Sequence, residues 1–167
     1  EPDLSKPFAL AITVAWTVMF ARVLVEVGVV YQPLLELVWI PITASGLVGL
    51  FYCLYLYFSQ RTAEKGDIDF SNPFDLGSAI KFGLLYGLVL LVSRAAQMYL
   101  GDTGLYISSI ISGVADVDAI TLSMAELSKT GVIAMPKAAL AIILATMSNT
   151  AVKGGIALAM GGKALRK

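Results

Sequence analysis

Five stretches of this chain are apolar and long enough to cross a lipid bilayer: residues 8–30, 34–58, 76–100, 104–127 and 138–160. A bilayer core needs about 20 such residues per helix. Inside lipid, backbone N–H and C=O groups have no water to bond, so each segment has to satisfy its own as a helix. The expected fold is therefore all-α: a polytopic transmembrane helical bundle of about five spans, forming one domain over residues 1–167. Composition agrees, with 57% hydrophobic and only 14% charged residues and a mean hydropathy of +0.80. Soluble domains carry roughly a quarter charged residues.

The same composition closes off several functions. Twelve basic and twelve acidic residues cancel, which leaves no global charge to attract nucleic acid. There is no histidine, so His-based triads, haem ligation through His and His-metal sites are excluded. Cys53 is alone, so neither an internal disulfide nor a cysteine metal cluster can form. A bound ion would be held by oxygen, which selects hard cations or protons. No organic cofactor is expected. The chain opens on Glu1 with the polar lead-in EPDLSKP and no basic stretch before the first apolar run, which reads as no signal peptide and as a piece of something longer.

Charges inside the spans carry most of the information. The first span holds Arg22 and Glu26, four apart on one helical face, which reads as a pair that neutralises itself inside a bundle or, alternatively, opens one member toward a substrate path. The second has Pro41 as an expected kink, an aromatic end (Tyr52, Tyr55, Tyr57) suited to the membrane interface, and Ser45 and Gly49 at a small-residue packing interval. Residues 59–75 form a polar loop. Its Arg61 and Lys65, with nearby Lys81, face the cytoplasm in this reading, and its Asp67 and Asp69 are read as solvated. In the third span Gly83 and Gly87 make a contact face. Arg94, near Gln97, has no acid within a helical turn, so its expected partner is Asp116 or Asp118. Gly101 to Gly104 is read as an outside turn.

The densest motif is Ser108 to Glu126, SSIISGVADVDAITLSMAE, which puts Asp116 and Asp118 in the middle of the fourth apolar segment. A carboxylate at that depth costs about 2.5–3.5 kcal/mol on insertion scales, which marks a functional site. On a regular helix Asp118 and Thr121 share one face while Ser112 and Asp116 lie on another. Both carboxylates meet one ion only if the helix is unwound between Gly113 and Asp118, a device of membrane transporters. In the fifth span Thr146, Asn149, Thr150 and Lys153 make a polar stripe, expected to face Asp116 or Asp118. Placing Ala9 to Ile12 on Ala139 to Ile142 brings Arg22 within one position of Lys153, the trace of an internal repeat in which spans one and five are similarly oriented. In a five-span layout Lys6, Arg61, Lys65, Lys81, Lys129 and Lys137 share one side, but Lys163, Arg166 and Lys167 break the pattern. A further span after Lys167 is the expected remedy.

With these residues laid out, the chain resembles the membrane domain of unknown function associated with MgtC/SapB domains. The resemblance is carried by MFARVLVEVGVV (Met19 to Val30), by Ser71 to Tyr106, by SGVADVDAITLSMAEL (Ser112 to Leu127) and by SNTAVK (Ser148 to Lys153). It implies a polytopic inner-membrane protein, here a partial domain without the MgtC part.

The function expected is a permease or ion-coupled transporter for a hard cation in the cell inner membrane. Asp116 and Asp118 would bind the ion or proton, as metal ligands if the ion is a metal. Ser112, Thr121, Asn149 and Thr150 would supply neutral oxygens, with Arg22, Glu26, Arg94 and Lys153 as charge partners or gates. The alternative is a regulatory or scaffolding membrane protein whose buried charges are structural pairs. An enzyme is not expected: membrane aspartyl proteases take their two carboxylates from different helices, whereas Asp116 and Asp118 are two residues apart. A homodimer through Gly83 and Gly87 is the expected assembly.

Overall fold

The structure, a computed structural model, describes residues 5–59 and 76–160. Among the described residues every regular element is an α-helix: α1 (Ser5–Val30), α2 (Gln32–Ser59), α3 (Leu76–Ala115), α4 (Val117–Lys129) and α5 (Met135–Met160). Four of them, α1, α2, α3 and α5, are long and apolar enough to cross a membrane, which makes the chain a multi-pass membrane protein. The polar loop with Asp67 and Asp69 lies outside the described residues.

Only Tyr31 separates α1 from α2, and its N–H still closes a helical bond to the Val27 carbonyl at 2.8 Å. Pro33 fits the first turn of α2 because no intrahelical partner exists there for a backbone N–H. The two helices then run antiparallel in close contact. Gly46 lies against Phe20 and Gly49 against Thr17, while the Thr17 hydroxyl also meets Cys53 Sγ at 3.7 Å. Gly49 of the Ser45–Gly49 pair thus packs α2 onto α1.

The second half of the chain is built differently. Gly101 has φ 61° and ψ −144° and breaks α3 into arms of residues 76–100 and 102–115. A left-handed φ of this kind is costly for any residue with a Cβ. In a straight helix residues 96 and 104 would be about 12 Å apart along the axis. Instead a Cβ on Gly104 would stand 2.5 Å from the Ala96 carbonyl oxygen, so the chain turns back on itself. A second break follows at Asp116, whose φ −157° and ψ 122° are extended. Here too the chain folds back, since Ser109 Oγ reaches Met124 Sδ, fifteen residues on, at 4.0 Å. Residues 102–115 and α4 therefore form a helical hairpin with Asp116 at its tip.

The second arm of the hairpin, α4, occupies the interior of the bundle, while the first arm turns Ile107, Ile111 and Val114 outward. Nine of the thirteen α4 residues are buried, Ala119, Ile120 and Met124 completely, against Val23 and Val27 of α1, Leu105 of α3 and Ile142 of α5 within one apolar core. Residues 130–134 then lead directly into α5, so α4 ends where α5 begins. The corner of α3 is held at the same end, where Lys137 Nζ pairs with Asp102 at 2.7 Å.

Two expectations are corrected. Residues 104–127 are not one continuous span but parts of two short helices folded against each other, because Gly101 and Asp116 both interrupt the ladder. Nor are α1 and α5 similarly oriented. Gly154 of α5 meets Trp16 early in α1, while Ala145, earlier in α5, meets Gly113 near the hairpin tip, which reaches Arg22 later in α1. With the hairpin in place of a crossing, the two helices run in opposite directions.

Candidate functional site

The polar centre of the bundle is the break at Asp116. The Asp116 N–H still bonds to the Ser112 carbonyl at 2.8 Å, ending the first arm of the hairpin, and its Oδ1 accepts the Asp118 N–H at 2.9 Å. Asp116 is thus the N-cap of α4, satisfying one of the donors that a helix start leaves open. Asp118 lies in the first turn of α4, where the helix dipole favours negative charge.

Asp118 is paired across the bundle. Arg22 Nη1 donates to its Oδ2 at 2.6 Å, joining residues 96 apart in sequence. Arg22 stands eight residues before the Val30 end of α1, about 12 Å at ~1.5 Å per residue, which puts the pair near the middle of a core about 30 Å thick. The Asp118 side chain keeps 15% of its surface accessible and that of Arg22 58%. An unpaired charge at that height is costly in lipid, and pairing removes most of the net charge. One turn further along α1, half-buried Glu26 lies within electrostatic range of Arg22, Asp118 and Asp116. Its Oε2 is buried with no hydrogen-bond partner among the described residues.

Asn149 belongs to the same neighbourhood by register. It stands one turn after Ala145 on α5, and Ala145 touches Gly113 so closely that a Cβ there would collide with the Ala145 carbonyl. Beside this contact Ser148 Oγ donates to the Ile110 carbonyl at 3.0 Å. Asn149 is 1% exposed and Thr121 fully buried. Asn149 Oδ1 and Thr121 Oγ1 have no hydrogen-bond partner among the described residues, which is expensive for buried polar atoms and leaves both oxygens open to a donor or a cation.

Other expected site residues lie elsewhere. Thr150 donates to the Thr146 carbonyl at 2.9 Å and faces an apolar groove of about 620 Å³ between α1, α2 and α5. Adjacent helical residues point about 100° apart, so Thr150 turns toward this groove while Asn149 turns into the buried interior. Arg94 and Lys153 are both exposed, and neither forms an ion pair among the described residues. Arg22 holds the place expected for them, because the break aims the start of α4 at α1. Gly83 and Gly87 are exposed with open space around them. Among the described residues no three acidic or cysteine side chains gather closely enough to hold a metal ion. The Asp102–Lys137 pair, to which Gln97 adds a hydrogen bond, was not singled out in the sequence. Its only signal there is a polar residue at the expected turn.

Residues 1–161 match a family described as Domain of unknown function (DUF4010). The chain belongs to that family. It is also 37% identical over 166 residues to an uncharacterized protein of Aquifex aeolicus (strain VF5), an alignment covering 98% of this chain and 72% of the relative. No solved structure matches it.

Proposed function

We propose that this chain forms the helical core of an ion-coupled permease of the inner membrane, a carrier for a hard cation rather than an enzyme, with its exchange site at the hairpin tip. The observation that supports this best is the Arg22–Asp118 pair beside Glu26, an acid with a buried oxygen that has no hydrogen-bond partner among the described residues. Arginine cannot give up its proton in a protein, so it can leave Asp118 only by moving to another acceptor. Glu26, one turn along the same face, is that acceptor. A cation arriving at Asp118 would displace the guanidinium onto Glu26, which gives up a proton as it takes the charge; when the cation leaves, Arg22 returns to Asp118 and Glu26 takes a proton back. Asp116 holds the start of α4 in place, while Thr121 and Asn149 contribute neutral oxygens. A homodimer through the open Gly83–Gly87 face and the company of MgtC/SapB domains, implied by the sequence resemblance, belong to the same proposal.

The scaffold reading draws on one observation: both aspartates are already engaged, Asp116 as a cap and Asp118 as an ion-pair partner. Proteoliposomes carrying an internal pH dye separate the two readings. Pulses of Na⁺, K⁺, Mg²⁺, Ca²⁺ or Mn²⁺ should drive saturable proton movement for one ion, and Asp118→Asn or Glu26→Gln should abolish it. If wild-type vesicles respond to none of these ions, and both variants are merely less stable in detergent, the carrier is wrong and the charges are structural.

A further inference from the structure

The geometry points to residues 102–129 as a re-entrant hairpin inserted from the extracytoplasmic face. The described chain then crosses the membrane four times, and the start of α1 and the end of α5 share the cytoplasmic side. Each arm of the hairpin has 13 or 14 residues, about 20 Å of helix at ~1.5 Å per residue. The hydrocarbon core is about 30 Å thick, so neither arm crosses it. The tip instead stops inside it, where Asp118 meets Arg22 about 12 Å of helix from the Val30 end of α1.

Both arms return to one face. Lys137 in the first turn of α5 pairs with Asp102 at the head of the first arm. The short 130–134 link ties the foot of the second arm to the same end of α5. That face is also the Val30 end of α1, because α1 and α5 run in opposite directions. The preceding arm, residues 76–100, is about 37 Å of helix and spans the core even when tilted. Irregular backbone at mid-membrane survives only where protein covers it, and here Gly113, Val117 and Ala119 are buried and Asp116 half-buried, while the apolar Val114 and Ala115 face outward.

Charge placement fixes the orientation. With four crossings Lys6, Arg61, Lys65, Lys81, Lys163, Arg166 and Lys167 fall on one side by their positions in sequence. Only Lys129 and Lys137 fall on the other, and Lys137 is neutralised by Asp102. Five crossings strand the last three basic residues on the wrong face. Four crossings gather them with the rest, as the bias of basic residues toward the cytoplasm demands.

Single cysteines test this in intact cells, because the chain has only Cys53, which is buried and sets the blank. Thr103→Cys and Val132→Cys replace exposed residues at the two ends of the hairpin. Both should react with a membrane-impermeant maleimide from outside, and Lys163→Cys only after permeabilisation. Labelling each variant in denaturant shows that every thiol is competent, so a silent position counts as protected. Thr103→Cys reactive from outside but Val132→Cys only from inside would establish a fifth crossing and overturn the hairpin. Lys163→Cys labelled in intact cells, or both hairpin positions protected, would overturn the orientation.

Discussion

The bundle contains two helical hairpins made by opposite means. The α1–α2 hairpin is long, and most of its large apolar side chains, such as Val25, Val48 and Phe51, face outward, toward lipid. It is held along a seam of close contacts at Gly46 and Gly49. The hairpin of residues 102–129 is short, has its α4 arm mostly buried and carries the paired aspartates. Lipid is as apolar as a leucine side chain, so an outward valine needs no cover, whereas a carboxylate needs a partner. A large apolar side chain is therefore as stable on the outside of this bundle as in its apolar core, unlike in a soluble domain.

One glycine in each hairpin tests that contrast most sharply. At Gly113 an added methyl meets the backbone of Ala145, which cannot step aside; at Gly49 it meets Thr17 Oγ1, the end of a side chain that can rotate. Gly113→Ala should cost about 3 kcal/mol or more, and Gly49→Ala about 1 kcal/mol or less, read as thermal unfolding in detergent. Equal losses would remove the distinction between a rigid and a yielding interface.

A smaller effect is expected at the ion pair. Arg22→Gln or Asp118→Asn alone leaves one charge unpaired at half depth and should cost on the order of 2–3 kcal/mol. The double variant Arg22→Gln/Asp118→Asn should recover most of that loss, because coupled partners are not additive. Losses that simply add would mean that the pair contributes nothing as a pair.

The smallest change is at the cap. Asp116→Ala should destabilise the chain by about 1 kcal/mol and Asp116→Asn by much less, since asparagine caps as well as aspartate. If Asn and Ala are equally damaging, the charge of Asp116 matters rather than its hydrogen bond to the Asp118 N–H.

How much of this was legible follows from what each feature depends on. The apolar runs declare helices because lipid leaves the backbone no alternative, and α1 and α5 contain the stretches 8–30 and 138–160 whole. The break at Asp116 was legible as a condition: two carboxylates two residues apart reach one place only from an unwound helix. The site set was harder. Asp118 finds Arg22 across 96 residues, and nothing local distinguishes Arg22 from Arg94 or Lys153 as its partner. The fold-back was hidden as well. Twenty-four apolar residues have the same composition whether they cross a membrane once or enter it and return, and only Gly101 and Asp116 decide between these paths.

The distance in sequence between Arg22 and Asp118 also bears on how the protein is made. Helix α1 leaves the ribosome well before residues 102–129, so its arginine is made long before the aspartate that holds it. Glu26 is the one acid in α1 and stands a single turn away, so during biogenesis it is the counter-ion at hand. When residues 102–129 fold in, Asp118 takes over the guanidinium and Glu26 is left with an unengaged oxygen. The unpartnered Glu26 oxygen among the described residues is then the trace of the passage of α1 into the membrane.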